Sequence, residues 1–168
     1  MAKVTLQGHE INTMGDIPPV NANLSDMNFK LTKTDLSDVS LNDYKGKKII
    51  LNIFPSLDTA VCAASVRRFN AELNDLENTV VLCISRDLPF AHGRFCVAEG
   101  LVNVISLSEM RDSNFSEQTG VKIVNGPLGG LMARSVIVLD EELKVLHSEL
   151  VPEIAQEPNY ELAIAAVK

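Results

Sequence analysis

The chain has 168 residues, 46% of them hydrophobic, which suits one domain with a substantial core. Its formal net charge is −7 and no basic stripe is present, which argues against nucleic acid or an anionic membrane surface as a partner. It contains no N-terminal apolar segment typical of a signal peptide and no apolar run of the about 18 residues that a membrane span needs. The three cysteines, an odd number, argue against a fully paired secreted scaffold. We therefore expect a single domain over residues 1–168, located in the cytoplasm.

The predicted elements alternate between strands and helices. Two short strands flank Gly8, at residues 4–6 and 9–12, and predict an N-terminal β-hairpin. Further strands are predicted at residues 29–32, 49–54, 80–85, 103–107, 134–139 and 144–150. Helical patterns predict a turn at residues 40–44 and helices at residues 60–77, 88–99, 112–119 and 158–167. This order predicts an α/β fold, in which helices cover both faces of a mixed central sheet.

Cys62 lies eight residues after the apolar strand at residues 49–54, near the start of the next predicted helix. Pro55 ends that strand, and Asp58 or Thr59 can cap the helix. A helix N-terminus carries about half a positive charge and unpaired N–H groups, which favour a thiolate over a thiol. Because the thiolate is the nucleophilic form, the position predicts a reactive cysteine.

The same cysteine also fits a structural role. It shares one face of the predicted helix with four apolar residues: Val66, Phe69, Leu73 and Leu76. A free cysteine is among the residue types most often buried, so periodicity alone favours an inert core position. Pro55 and Thr59 favour the reactive interpretation, because the hydroxyl can bond the sulfur or a bound oxygen and the proline can shield the pocket from water.

The other two cysteines differ in their settings. Cys83 lies inside a continuous apolar run, which is typical of a strand buried on both faces, and we interpret it as inert. Cys96 lies about 100° from the apolar stripe of its predicted helix, so it should be more exposed than Cys62. That stripe consists of Leu88, Ala91, Phe95 and Ala98. The pattern leaves open whether Cys96 is functional or a half-exposed bystander.

Pro55, Thr59 and Cys62 form the pattern Pro-x-x-x-Thr-x-x-Cys, which resembles the active-site signature of peroxiredoxins. Longer segments, at residues 54–70, 78–85, 94–100 and 126–140, resemble bacterial thiol peroxidases, which are atypical two-cysteine peroxiredoxins. The resemblance covers nearly the whole chain. It implies a thioredoxin-like fold, in agreement with the predicted order of elements.

The resemblance also implies roles for individual residues. Cys62 would be the peroxidatic nucleophile, which becomes a sulfenic acid, and Cys96 would be the resolving cysteine, which joins it in a disulfide. Thr59 and Pro55 would belong to the peroxide site. Arg134 would lie over the sulfur, where its permanent charge and fixed donors stabilise the thiolate and polarise the peroxide bond. Without the resemblance, an arginine at the start of a strand is most often a solvated end residue.

The implied activity is antioxidant reduction of hydrogen peroxide and alkyl (lipid) hydroperoxides, with no metal or other cofactor. Thioredoxin would reduce the disulfide, and the protein would form a homodimer. Four residues could form an apolar rim for the substrate or belong to the core: Leu57, Leu128, Leu131 and Met132. Two alternatives stay open, a non-enzymatic redox sensor or binding module on the same fold, and a peroxidase that uses Cys62 alone.

Other chemistries find little support in the sequence. No Cys-x-x-Cys motif suggests a dithiol reductase, and the histidines lack the spacing of a zinc site. Arg67 and Arg68 lie beyond the first turn after Cys62, and we interpret them as solvated or dimer-facing. Cys62 and Cys96 are predicted on separate helices, whereas a disulfide requires Cα atoms within about 7 Å. We therefore expect the helix at residues 88–99 to unwind locally during the reaction cycle.

Overall fold

A computed structural model describes all residues from 1 to 168. The strands are β1 Lys3–Leu6, β2 His9–Asn12, β3 Leu31–Lys33, β4 Asp38–Val39, β5 Lys48–Ile53, β6 Thr79–Ser85, β7 Ile105–Ser108, β8 Ser135–Leu139 and β9 Val145–Leu150. The helices are α1 Ala60–Glu72, α2 Pro89–Glu99, α3 Asn114–Gln118 and α4 Tyr160–Val167, with 3₁₀ turns at Leu41–Tyr44 and Leu73–Asp75. No helix combines the length and the apolar character needed to cross a membrane.

The central sheet is mixed, as the sequence predicts. Its seven strands lie in the order β4-β3-β7-β6-β5-β8-β9. Strands β5, β6 and β7 are parallel, whereas β3, β4, β8 and β9 are joined to the sheet by antiparallel pairs. Strands β1 and β2 form a separate antiparallel hairpin at the N-terminus. The α/β fold and the N-terminal hairpin extension are therefore both confirmed.

Helices cover both faces of this sheet, because the central strands are apolar on both sides. On one face, Ile49 and Leu51 of β5 pack with Phe115 of α3. On the other face, Ile50 packs in a cluster with side chains of α1, α2 and α4. Helix α2 lies over β7, α1 over β6, and α4 over β8 and β9.

Several element boundaries differ from the prediction. Helix α1 ends at Glu72 rather than at residue 77, because the chain tightens into the 3₁₀ turn Leu73–Asp75 and Leu76 is extended. Helix α4 begins at Tyr160, since the Asn159 side chain accepts a hydrogen bond from Leu162 N and caps the helix there. The short strand β4 was not predicted; it pairs with β3.

The sheet register brings distant segments together at one edge. Strand β8 runs antiparallel to β5, and Ser135 pairs with Ile53 at the carboxyl end of β5. Arg134 directly precedes β8, and Phe54 and Pro55 directly follow β5. Arg134 therefore lies beside the connection that leads from the sheet into α1, although 72 residues separate it from Cys62.

Candidate active site

Cys62 is the third residue of α1, whose N-cap is Thr59 in an extended conformation. No side chain caps the helix, so the first-turn N–H groups stay available as donors. The Cys62 side chain is fully buried and packs in the same core cluster as Val66 and Phe69. Cys62 therefore lies both at a helix N-terminus and on the apolar stripe, the two placements that the sequence predicts.

Arg134 is the side chain that bonds the Cys62 sulfur. It is only 2% exposed, and its Nη2 donates to Cys62 Sγ over 3.2 Å. Its Nε donates to the carbonyl of Ile154 over 2.8 Å, which fixes the orientation of the guanidinium, while Nη1 has no partner. No carboxylate lies within salt-bridge distance of Arg134. The guanidinium of Arg134 is therefore a buried cationic donor directed at the Cys62 sulfur.

Pro55 and Thr59 adjoin Arg134 in one pocket of about 280 Å³. Pro55 is buried, and Thr59 is exposed. The Thr59 hydroxyl donates to the carbonyl of Ser56 over 2.9 Å and makes no hydrogen bond to the sulfur. The structure therefore brings Pro55, Thr59 and Arg134 together as the sequence led us to expect, with the hydroxyl of Thr59 turned to the backbone.

The pocket has a largely apolar lining. Leu128 and Leu131 contribute to it, as expected of the rim, whereas Leu57 and Met132 do not. Met132 is fully buried in the core on the other face of the sheet. The lining also includes seven residues that the sequence analysis did not single out. Three of them lie beside Pro55 and Thr59 in the chain, and the other four are distant from them: Leu6, Gln7, Ile154 and Ala155. Nothing local in the sequence identifies these four, because the β1–β2 hairpin and the segment after β9 reach the pocket only through tertiary packing.

Cys96 is half-buried on α2, and the expectation that it is more exposed than Cys62 is confirmed. Its Sγ lies 3.4 Å from the Ser106 hydroxyl on β7. Helix α2 ends just beyond it, at Gly100 in the left-handed region with a φ of 66°. There, Leu101 N–H donates to the Cys96 carbonyl over 2.9 Å, so the C-terminal cap of the helix is built on this cysteine.

The two cysteines face different parts of the sheet. Cys96 contacts β7 through Ser106, whereas Cys62 contacts Arg134, which directly precedes β8. Strands β6 and β5 lie between β7 and β8, so the backbones of β7 and β8 are three strand spacings apart, about 14 Å in all. All three cysteines are free in this structure. No disulfide joins Cys62 and Cys96 here, although Cys96 packs against the core cluster that contains Cys62.

Cys83 has the environment of an inert cysteine. It is fully buried in β6, where Asn52 Nδ2 approaches its sulfur at 3.7 Å. Burial raises the pKa of the Cys83 thiol to about 12, because the apolar surroundings disfavour the charged form. The thiol is therefore protonated at neutral pH, in agreement with the interpretation from the sequence.

Asp87 supports the connection between β5 and α1. Its carboxylate accepts hydrogen bonds from Leu57 N and from the Ser56 hydroxyl, each over 2.8 Å. Ser56 in turn bonds Thr59 through its carbonyl. Asp87 thus holds the loop that precedes Cys62, a role for which the sequence carried no local signal.

Arg67 and Arg68 are exposed, but both are paired within the chain. Arg67 forms two hydrogen bonds with Glu99 of α2, at 3.1 and 2.9 Å, and Arg68 pairs with Glu72. Their exposure agrees with the interpretation of these arginines as solvated or dimer-facing, and the guanidinium of Arg67 in addition joins α1 to α2. The pairing lowers the pKa of Glu99.

Comparisons with known proteins agree with this geometry. Residues 18–164 match the Redoxin family model. The chain is 54% identical over 167 residues to a thiol peroxidase from Corynebacterium glutamicum, and the match covers 99% of each chain. A peroxiredoxin-like protein from Aquifex aeolicus has a similar structure, with a TM-score of 0.90 and 32% identity over 99% of this chain and 96% of that one.

A second solved structure, a thiol peroxidase from Chromobacterium violaceum, supports the fold alone, since its identity is 21%. Its TM-score is 0.88, with 96% of this chain and 93% of that chain covered. The family match and the 54% identical relative bear on function as well, because both extend over most of the chain. The chain therefore belongs to the redoxin family and is a peroxiredoxin enzyme, a thiol-dependent peroxidase.

Proposed function

We propose that Cys62 is the peroxidatic cysteine and that Arg134 activates it. The observation that carries this assignment is the bond from Arg134 Nη2 to the buried Cys62 sulfur, beside an Nη1 donor without a partner. The first donor stabilises the thiolate, and the second is free to bond a peroxide oxygen. Pro55 and Thr59 line the same pocket, where they restrict access of water and form part of the wall of the peroxide site.

In the proposed first step, the Cys62 thiolate attacks one oxygen of a hydroperoxide. An S–O bond forms, the O–O bond breaks, and the second oxygen takes a proton from solvent and leaves as water or an alcohol. The sulfur is oxidised to a sulfenic acid while the peroxide is reduced. Arg134 and the unpaired first-turn N–H groups of α1 stabilise the negative charge that develops on the leaving oxygen.

In the proposed second step, the Cys96 thiol condenses with the Cys62 sulfenic acid. An S–S bond forms and the sulfenic oxygen leaves as water. Because Cys62 and Cys96 lie on separate helices and contact different partners, we propose that α2 opens around Cys96 so that the sulfurs can meet. An external dithiol, for which we propose thioredoxin, then restores both thiols by disulfide exchange.

We propose hydrogen peroxide and alkyl (lipid) hydroperoxides as substrates. The pocket supports the second class, because Leu6, Leu128 and Leu131 offer apolar surface beside Arg134. The proposal also includes a homodimer and a cytoplasmic location for one domain of 168 residues. Three free cysteines are compatible with a reducing compartment.

The test is non-reducing mass spectrometry of the protein after one equivalent of hydroperoxide. We expect a single intramolecular disulfide between the Cys62 and Cys96 peptides, and its loss on addition of thioredoxin, its reductase and NADPH. The Cys83→Ser variant should give the same disulfide and is the matched control.

Two other outcomes would contradict parts of the proposal. If Cys62 is oxidised, forms no disulfide and is reduced again by small thiols, Cys96 has no role in the cycle. A disulfide that forms but is never recycled by a dithiol would favour a redox sensor. Size-exclusion chromatography with light scattering tests the homodimer separately.

A further inference from the structure

The loop before Cys62 is tied to a polar network that extends beyond the pocket. Asp87, in the connection between β6 and α2, accepts from Leu57 N and from the Ser56 hydroxyl through its two carboxylate oxygens. It also accepts from the Ser85 hydroxyl, which closes the network toward the end of β6. Asp87 lines no part of the pocket that holds Arg134. Its contacts are therefore with the backbone and side chains that position the site.

The network continues into the first turns of α2. The Ser85 hydroxyl lies 3.0 Å from Nε2 of His92, a residue that is only 1% exposed. A carboxylate can only accept, so the single proton of Ser85 is directed to Asp87. His92 must then donate from Nε2 to Ser85, while its buried Nδ1 has no partner. The hydrogen bonds run in one direction, from His92 through Ser85 to Asp87.

His92 is neutral at pH 7, and the tautomer with its proton on Nε2 supplies the donor of this arrangement. Burial lowers its pKa to about 4, with Asp87 the charged group that opposes the shift. Its ring also lies beside that of Phe54, with 6.4 Å between centroids, at the end of the strand that leads to Cys62. His92 and Cys96 are four residues apart and therefore share a face of α2.

We propose that His92, Ser85 and Asp87 act as positioning residues, which couple the loop before Cys62 to the helix that carries Cys96. The inference rests on the proposed function, in which Cys62 reacts first and α2 then opens. While α2 is folded, His92 holds Ser85 and Asp87 in place, and Asp87 holds Ser56 and Leu57. When α2 opens, the loop loses this support. Peroxide reactivity at Cys62 therefore depends on the folded state of the helix of the resolving cysteine.

The test measures the oxidation of Cys62 by stopped flow in a Cys96→Ser background, where no disulfide can form. His92→Phe removes the donor but keeps a ring, and we expect the rate constant for Cys62 oxidation to fall at least fivefold. His92→Gln retains an amide donor near the position of Nε2 and should restore most of the rate. Asp87→Asn, which cannot accept all three hydrogen bonds, should slow the reaction at least as much as His92→Phe.

A matched control separates coupling from helix stability. Val97 is 84% exposed on α2 and contributes no side chain to the network, so Val97→Gly weakens the helix alone. With Cys96 present, both Val97→Gly and His92→Phe should speed disulfide formation after Cys62 is oxidised. His92→Phe should slow the first oxidation step, whereas Val97→Gly should change it little, because a loss of about 1 kcal/mol leaves α2 mostly folded in the reduced protein.

The outcomes distinguish this inference from the proposed function. The coupling would be overturned if circular dichroism shows that the His92→Phe variant is folded and its Cys62 is oxidised by peroxide at the parent rate. If His92→Phe does not fold, a parent rate in Ser85→Ala or Asp87→Asn would overturn it equally. A parent protein in which Cys62 is not oxidised at all would instead contradict the proposed function.

Discussion

Arg134 donates from Nη2 to Cys62 Sγ over 3.2 Å, the one hydrogen bond that reaches this sulfur. The contact joins the residue before β8 to the first turn of α1, and both side chains are almost completely buried. Since Arg134 has no carboxylate partner, its charge is directed to the sulfur and to whatever binds beside it. The catalytic proposal depends on this pair.

Replacing Arg134 tests the pair directly. Arg134→Met keeps a long apolar side chain but removes the charge, so we expect a smaller thiolate fraction at neutral pH and peroxide attack slower by about 100-fold or more. Thiolate absorbance during a pH titration and single-turnover kinetics measure the two effects. Arg67→Met, at an exposed arginine outside the pocket, is the control. If the thiolate titration and the rate of peroxide attack are unchanged in Arg134→Met, the role of Arg134 is purely structural.

The nucleophile can be assigned by comparing two buried cysteines. Cys62→Ser should abolish peroxidase activity, because a serine hydroxyl does not form the sulfenic acid. Cys83→Ser should keep most of the activity and lose about 1 kcal/mol of stability from altered core packing. Steady-state turnover and urea unfolding of both variants provide the comparison. More than a few per cent of residual activity in folded Cys62→Ser would rule out the assignment.

Two glycines of α2 allow its stability to be changed in opposite directions. A Cβ on Gly93 would meet only Thr34, at 3.9 Å, so Gly93→Ala should stabilise the helix by about 1 kcal/mol. Gly100 has a φ of 66°, so Gly100→Ala should strain the cap by about 1 kcal/mol. We expect slower disulfide formation and more overoxidation of Cys62 in the first variant, and faster disulfide formation in the second.

Hydrogen exchange across α2 provides an independent measurement of the opening. Amides of residues 90–100 should exchange faster in the disulfide form than in the dithiol form. Equal protection in both forms, together with equal disulfide rates in the two glycine variants, would show that no unwinding is needed.

The pH dependence of stability should carry the signature of His92. Its pKa is about 4 when folded, below the ordinary 6.5, so the unfolded chain binds the proton more tightly. The contribution of neutral His92 to stability is therefore fully present above pH 6.5 and is lost as the pH falls toward 4. By pH 5 the loss is about 2 kcal/mol. The raised pKa of buried Glu109 acts in the opposite direction, because its protonation in acid favours the folded state.

A comparison with His92→Gln isolates this contribution, since both proteins retain Glu109. The unfolding free energy, measured in urea, should fall between pH 7 and pH 5 by about 2 kcal/mol less in the variant than in the parent protein. The same acid loss in both proteins would mean that His92 does not titrate over this range.

Substrate preference should follow the apolar wall of the pocket. Leu131→Ser should raise KM for a bulky alkyl hydroperoxide about tenfold, because apolar contact is lost, and leave the rate with hydrogen peroxide nearly unchanged. Leu162→Ser, at an exposed position on α4 outside the pocket, is the matched control. If Leu131→Ser changes the kinetics with both peroxides equally, the pocket does not select the substrate.

Local sequence was sufficient for much of the fold. The apolar runs, Pro55 and the helical periodicity after it identified β5, α1 and the place of Cys62 in the first turn, because strand and helix patterns are local. The same patterns separated Cys83, inside a buried strand, from half-exposed Cys96. Boundaries were less accurate where capping decided them, as at Asn159, which starts α4 later than Pro158 suggested.

The sequence by itself thus determined the order of elements, the mixed sheet and the candidate cysteines. The resemblance implied that Arg134 lies over Cys62, but only the tertiary structure decided which nitrogen bonds the sulfur and that Asp87 supports the loop before it. Only the fold, likewise, brings the β1–β2 hairpin to the pocket. Such contacts join residues far apart in the chain, and they depend on strand register and on which helix packs over which strand. Local propensity carries no information about either, because many arrangements satisfy the same apolar pattern.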